Sequence, residues 1–487
     1  MREKKDNKKS LKKRVFNGVF WRFGEQISSQ LVMFIVSIIL ARILVPSQYG
    51  IVAIVSVFVS IANVFITESF SKSLIQKKQV DSNDFSSVFY FNMAFSWIMY
   101  FVVFLCSPLI ASFYKQDILV PVMRVLALLI PIAGINSIQQ AYVSRTMQFQ
   151  RFFWSTLIGT IISGIVGIVM AYNGFGVWSL VGQQLSNNLV NVLVLWFTLK
   201  WRPTLEFSFT KLKVLLSFGW KVLATNLINT LYDNSRSLIM GKLYSSSTLA
   251  FYNRGMNYPN LLISNITTSF DSVLFPAMSK IQDDRLRMKS AVRKSISVST
   301  YVIFPLMAGM AAVSHNLVSW MLTDKWLPAV PYMQIACIFL ALYPINIVNL
   351  QAILAVGKSS IYLRLNIIKK GIGFITIISS IPFGPYAMAS SDILVGVLAI
   401  LTNVSANKKL FGYSFYELGK DCIPNAIMSL IMFFSVHIVG LLYQGISSTF
   451  GILCIQILVG GGVYVILSML LNSSDFKYLL SILKIRH

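Results

Sequence analysis

The segment SIILARILVPSQYGIVAIVSVF, Ser37–Phe58, decides the fold class. It contains the end of one apolar run, a short polar turn around Pro46–Gly50 and the start of a second apolar run. The first run begins near Gly18 and the second reaches about Ser71. Each can cross a bilayer, which takes about 20 mostly apolar residues. The short alternating segments of a membrane barrel are absent.

The same unit recurs along all 487 residues, of which 55% are hydrophobic and only 12% charged. A soluble domain carries about 25% charged residues. The mean hydropathy is +0.68. We count about fourteen apolar stretches, from Gly18–Ile43 to Phe450–Leu471. Lipid offers no partner to free backbone groups, so each stretch is expected to be helical. The expected class is an all-α polytopic membrane protein with about fourteen transmembrane helices.

The net charge of +25 does not point to nucleic acid, because the cations are unevenly placed. Eight lie in the first fourteen residues. The apolar run that follows is too long for a signal peptide and contains Arg22 and Glu25. An uncleaved first helix with a cytoplasmic tail is expected. On that orientation 30 of the 42 Lys and Arg residues fall inside. Five fall outside: Arg42, Lys115, Arg124, Lys242 and Lys325. This is the positive-inside asymmetry, with both termini in the cytoplasm. The basic inner loops also suit anionic phospholipids.

Seven cations remain within or near spans: Arg22, Lys221, Arg236, Arg254, Arg364, Lys369 and Lys370. Glu25, Glu68, Asp233, Asp271 and Asp392 are placed similarly. A charge at mid-membrane costs about 2.5–3.5 kcal/mol on insertion scales, so such groups usually face a polar interior. Asn226, Asn229, Asp233 and Arg236 follow a spacing that sets them on one helix face. Arg254, Asn257, Asn265, Thr268 and Asp271 form a second stripe, and Gln184, Asn187 and Asn191 a third. Asn136 with Gln139 and Asn346 with Asn349 add amides in the fourth and tenth stretches.

Two readings stay open. The amides either bond helix to helix or line a water-filled cavity. The charges either pair locally, as Arg22 with Glu25, Asp233 with Arg236 and Glu68 with Lys72, or serve transport. On the second reading, Arg22, Lys221, Arg236 and Arg254 attract an anion, with Asn226, Asn229, Asn257 and Asn187 as polar contacts. Asp233, Glu25, Asp271 and Glu68 are then the expected ion-coupling residues. Arginine grips phosphate bidentately, which lysine cannot.

A weak internal repeat divides the chain. Shifted by 200 residues, ILARILVPSQYGIVA (Ile39–Ala53) lies over IMGKLYSSSTLAFYN (Ile239–Asn253). The expected organisation is a basic tail (1–16), an N-lobe of six helices (17–200) and a linker (201–211). A C-lobe of six helices (212–410), two further helices (411–472) and a cytoplasmic tail (473–487) follow. Transporters are often built from such repeats. Glycines 159, 164 and 167 mark close packing, and Pro131, Pro259, Pro276, Pro305 and Pro344 mark kinks.

No enzymatic pattern appears. Gly357–Lys358–Ser359 resembles the end of a P-loop, but residue 352 is Ala rather than Gly. The four cysteines and three histidines are scattered. No catalytic residue, metal or cofactor is expected.

Five segments in order carry a family resemblance. They are Ser37–Phe58, AYVSRTMQFQRFF (Ala141–Phe153), GFGVWSLVGQQLSNNLV (Gly174–Val190), AFYNRGMNYPNLL (Ala250–Leu262) and SVLFPAMSK (Ser272–Lys280). Together they resemble the polysaccharide transporters, the Wzx-type lipid-linked oligosaccharide flippases of the multidrug/oligosaccharidyl-lipid/polysaccharide superfamily. The likeness is greatest to the branch of colanic-acid and teichuronic-acid exporters. It implies two lobes around a central cavity, alternating access and an ion-gradient drive. It implies an oligosaccharide on a polyprenyl diphosphate as substrate, a bacterial inner membrane and a polysaccharide polymerase as partner. Arg254 falls on the FYNRG motif. The alternatives are a drug or cation antiporter of the same superfamily, which would prefer an acidic or apolar cavity, and a membrane polymerase, which would need a large outer loop.

Overall fold

The structure, a computed structural model, describes residues 2–68, 74, 81–443, 448–471 and 473–484. Within these it describes the side chains except at 2–16, 19, 68, 82, 210–219, 221, 265, 267–273, 479 and 482–484. No strand occurs among the described residues. The chain forms two compact units, Met1–Ala250 and Phe251–His487.

In the first unit, α1 runs without a break from Arg2 to Ile43. At 1.5 Å per residue it is about 63 Å long, twice the hydrocarbon thickness. A short turn leads to α2 (Pro46–Asn63), which Pro46 opens at a position where no N–H is needed. Gln48 reaches back, its Oε1 accepting from the Val45 N–H at 3.2 Å. Then come α3 (Ser82–Tyr114), α4 (Leu119–Leu126), α5 (Leu129–Thr146), α6 (Phe149–Tyr172), α7 (Val177–Thr198) and α8 (Phe209–Leu243). The next helix, α9 (Ser246–Ser279), begins in the first unit and continues into the second.

The α6 glycines act as expected. A Cβ on Gly159 would lie 3.1 Å from the Asn187 carbonyl oxygen, and one on Gly164 only 2.6 Å from Val36 Cγ2. One on Gly167 would lie 3.1 Å from Gln183 Cβ. Small residues on one helix thus admit both α1 and α7, the packing device of membrane helices. The linker is pinned rather than free: Thr204 and Ser208 donate backbone N–H bonds to Ser86 and Ser87 of α3, each at 2.9 Å. The end of α8 is tied to α3 as well. Tyr114 Oη donates to the Leu238 carbonyl at 3.2 Å, and Lys242 Nζ donates to the Phe113 carbonyl. Nearby, Ser246 Oγ donates to Gln116 at 2.9 Å.

The second unit continues α9 and adds α10 (Arg285–Leu322), α11 (Val330–Ala341), α12 (Tyr343–Ala355), α13 (Ser359–Ser380), α14 (Pro385–Phe411), α15 (Phe415–Leu442), α16 (Thr449–Leu470) and α17 (Ser474–Lys484). Asp284 caps α10 by accepting from the N–H groups of Leu286 and Arg287, both at 3.0 Å. The basic run 280–294 is therefore mostly helix. Three of its six cations are paired with other helices: Lys289 with Glu417 at 2.7 Å, Arg293 with Asp421 at 2.6 Å and Lys294 with Asp475 at 3.1 Å. These pairs tie α15 and α17 to the base of α10. Burial raises the Tyr413 phenol above its ordinary value, so it stays neutral and donates to Asp421.

Among the described residues, the apolar stretches fall on helices. Ten spans are long and apolar enough to cross a membrane among the described residues. The long helices outside those ten, α7, α8, α9 and α13, carry stripes of amides and charges that lower their hydropathy. The protein is a multi-pass membrane protein. The fourth and tenth stretches are each broken, α4 from α5 and α11 from α12. The breaks precede PIAGIN (Pro131–Asn136) and PINIVN (Pro344–Asn349). Proline lacks the N–H that would continue the preceding helix. By contrast Pro259, Pro276 and Pro305 lie within continuous helices. Asn346 and Asn349 bond helix to helix: Asn403 donates to Asn346 at 3.1 Å and Asn407 to Asn349 at 2.6 Å.

Gly50 offers a direct stability test. A Cβ there would lie 1.8 Å from the Ser246 carbonyl oxygen, whereas one on Gly371 meets nothing within 4 Å. Gly50→Ala should destabilise the detergent-solubilised protein by about 1–3 kcal/mol through overpacking. Gly371→Ala should be neutral or stabilise by up to about 1 kcal/mol through helix propensity. Thermal unfolding followed by tryptophan fluorescence reads both, and equal melting temperatures for the two variants would refute the contact.

Candidate functional site

Arg22 and Glu25 lie one turn apart on α1 and form an ion pair, Nη1 to Oε2, of 2.6 Å. Thr156 of α6 donates to the other carboxylate oxygen at 2.9 Å. The Arg22 guanidinium also lies 5.3 Å from the Phe152 ring centre. The Glu25 side chain is 11% exposed and that of Arg22 59%. The acid is thus sunk between α1 and α6, while the cation keeps an open face. Of the two readings of this pair, local pairing is what the geometry shows. Open guanidinium donors still remain for an incoming acceptor.

Asn187 on α7 donates to Ser163 Oγ of α6 at 3.1 Å, which occupies it in helix–helix bonding. Along α8, the four stripe residues share a face by spacing but differ in burial. Asn226 and Asn229 are half-buried, Asp233 is exposed and Arg236 is buried. The side chains of Lys221, Glu68 and Asp271 lie outside the described residues.

In the second unit, Arg254 sits on an aromatic cradle. Its guanidinium carbon is 5.5 Å from the ring centre of Trp326. Trp326 is fully buried in the turn Asp324–Ala329, where Phe251 packs edge-on against it at 5.9 Å. Tyr252 meets Tyr332 of α11 in the same manner, also at 5.9 Å. Gly255 makes this approach feasible. A Cβ there would lie 2.6 Å from Tyr332 Cβ and 2.8 Å from the Ala329 carbonyl oxygen. The glycine of FYNRG lets α9 close on the turn, and its neighbour Arg254 is set against Trp326. Asn257, one turn on, is exposed.

Sequence reasoning missed Thr156, Phe152, Trp326 and Tyr332. The one available signal was the glycine directly after Arg254, since a glycine inside a helix marks close approach. It also missed an apolar cavity of about 710 Å³ in the second unit. Helices α10, α15, α16 and α17 line it, with Leu306, Gly309, Ile457, Gly460 and Phe476 among the wall residues. Its one amide, Gln456, is satisfied by Asn316 at 2.9 Å and by the Val436 carbonyl at 3.1 Å. Among the described residues no group of three His, Cys, Asp or Glu side chains could hold a metal.

The Arg22–Glu25 pair should contribute little by itself. Partly exposed ion pairs are worth about 0–1 kcal/mol. A double-mutant cycle with Arg22→Ala and Glu25→Ala, read by thermal unfolding, should give a coupling below about 1 kcal/mol. A coupling above about 2 kcal/mol would mean that Arg22 is desolvated and closed to a ligand.

Residues 39–331 match the family model described as "Polysaccharide biosynthesis protein". The chain is 24% identical over 366 residues to the lipopolysaccharide biosynthesis protein WzxC of Escherichia coli (strain K12), covering 74% of each chain. It is 22% identical over 355 residues to the teichuronic acid biosynthesis protein TuaB of Bacillus subtilis (strain 168), covering 72% of this chain and 73% of that one. Among solved structures, the lipid II flippase MurJ in an inward closed conformation shares the fold, with a TM-score of 0.74 and 15% identity. That match covers 93% of this chain and 98% of the other. The matched segment includes Arg42, Arg236 and the whole Arg254–Trp326 cradle, and more than half of the chain lies within it, so the protein belongs to the polysaccharide biosynthesis protein family.

Proposed function

We propose that the protein flips a polyprenyl-diphosphate-linked oligosaccharide from the inner to the outer leaflet of the bacterial cytoplasmic membrane. It does so by alternating access, for surface polysaccharide biosynthesis. The observation that carries this reading is Arg254, held face-on by a buried indole inside the family's matched segment. A planar guanidinium matches a diphosphate bidentately, which an ammonium cannot do. The relatives' names, for lipopolysaccharide and teichuronic acid biosynthesis, support a glycan substrate.

The remaining parts follow from the substrate's chemistry. In the second unit Arg254 is the diphosphate ligand; in the first unit Arg22, Lys221 and Arg236 are the candidate anion-binding cations. The sugars take amides such as Asn226, Asn229 and Asn257. The polyprenyl chain takes apolar surface, for which the cavity walled by α10, α15, α16 and α17 is suited. Both termini lie in the cytoplasm, and a polysaccharide polymerase receives the product.

An anion site of equal affinity in both states would not drive flipping, because only differential affinity shifts a conformational equilibrium. Glu25 supplies a means of changing affinity. A proton or cation arriving at Glu25 weakens its hold on Arg22 and frees a donor for the diphosphate. Asp233, exposed on α8, is a second ion-coupling residue, and Glu68 and Asp271 complete the set.

Arg254→Ala should abolish surface glycan while the protein stays in the membrane at its normal level. Arg254→Lys should retain part of the export, since it keeps the charge but loses the fork. Surface glycan is measured by immunoblot beside a membrane-fraction blot of the protein. Wild-type glycan levels in Arg254→Ala would sink the assignment.

A further inference from the structure

A separate cavity of about 380 Å³ lies where the lower part of α1 meets the turn into α6. Asn17, Gly18 and Trp21 line it from α1. Met147, Gln148, Phe149, Gln150 and Arg151 line it from the turn and the start of α6. The two sides are in close contact: a Cβ on Gly18 would lie 2.8 Å from Phe149 Cδ2. Trp21 also packs edge-on against Phe153, 5.2 Å between ring centres.

Arg151 is the one cation among the residues that line the cavity. Arg151 Nη1 is buried and has no hydrogen-bond partner among the described residues. A guanidinium carries five donors and no acceptor, and an unmet buried donor is costly. Apart from Arg151 and the indole of Trp21, the polar side chains in the wall are neutral amides, and no carboxylate lines it. The local deficit is therefore one of negative charge and acceptor oxygens. The first turn of α6 adds backbone N–H groups of the same polarity.

The depth of the cavity indicates the source of the anion. Phe20 and Phe23 of α1 and Trp154 of α6, the next residues along both helices, are exposed and apolar. Just before Asn17 the sequence reads Lys12, Lys13 and Arg14, and Arg145 precedes the turn. Along the sequence the cavity thus falls at the step from apolar to basic residues, the level of lipid phosphates, and Trp21 is a typical residue of that level.

We propose that this cavity binds the phosphate of an anionic phospholipid from the leaflet at the basic end of the protein. Arg151 contacts the phosphate oxygens, and the amides of Asn17, Gln148 and Gln150 donate to the same group. The site is independent of Arg22 and Arg254 and does not rest on the flipping of a glycan.

Native mass spectrometry of the full chain in detergent tests this with three separate probes: phosphatidylglycerol, phosphatidylcholine and inorganic phosphate. Wild type should retain one phosphatidylglycerol molecule in preference to phosphatidylcholine. Arg151→Gln should weaken that retention about tenfold, the loss expected for one charge-assisted contact. Asn17→Asp, which sets a carboxylate in the wall and leaves Arg151 in place, should weaken it similarly. Lys358→Gln, which removes an exposed cation elsewhere, should not. Unchanged retention in both Arg151→Gln and Asn17→Asp would overturn the site. Wild type that holds inorganic phosphate but no lipid there would overturn the lipid source.

Discussion

A guanidinium among apolar helices is stable only if something replaces the water it has lost. Removing that water costs about 2.5–3.5 kcal/mol at mid-membrane on insertion scales. This chain meets the requirement in two ways. Arg22 is held by a carboxylate that is itself held by Thr156. Arg254 is held by the face of a buried indole. The two solutions leave different residues of charge. The first is close to neutral. The second sets an aromatic face against the cation.

Both arrangements depend on close helix approach, which small residues permit. Gly255 admits Tyr332 and the Ala329 carbonyl, and Gly159, Gly164 and Gly167 admit α1 and α7 around α6. A methyl group at any of these positions would force a shift. Since a guanidinium works within hydrogen-bond reach of its ligand, displacements of an ångström matter. The same economy shapes the helix breaks. PIAGIN and PINIVN place a proline five residues before a buried asparagine in each unit. The proline redirects the helix, and in the second unit the asparagine fastens the redirected piece to α14. The repeat is thus clearer in these breaks than in the Ile39–Ala53 and Ile239–Asn253 pair.

Much of the fold was legible because lipid allows few alternatives: every long apolar run had to be helix. Local pairs were legible too, since Arg22 and Glu25 are three residues apart. Contacts between distant residues were not. Nothing in the sequence around Arg254 names Trp326, and nothing around Glu25 names Thr156. Spacing also misled on α8, where residues that share a face range from exposed Asp233 to buried Arg236. A helix face is a direction, and what covers it is decided by another helix. Asn187 has the same lesson: its stripe suggested a lining role, whereas its amide is engaged with Ser163.

The net charge of +25 must be read with the same care. Counting cations by loop predicts orientation, but the count does not distinguish free cations from occupied ones. Lys289, Arg293 and Lys294 are bound to Glu417, Asp421 and Asp475, so they serve as clamps on α15 and α17. Arg293 and Asp421 meet through two guanidinium nitrogens, a geometry that fixes direction as well as distance. These three contribute little field to an approaching lipid, because each is neutralised within about 3 Å, well inside the Debye length. Arg151 is different: its cavity holds only neutral amides beside it. The field felt at the membrane surface therefore comes from a subset of the inner cations, and its strongest local points are where acids are missing rather than where bases are dense.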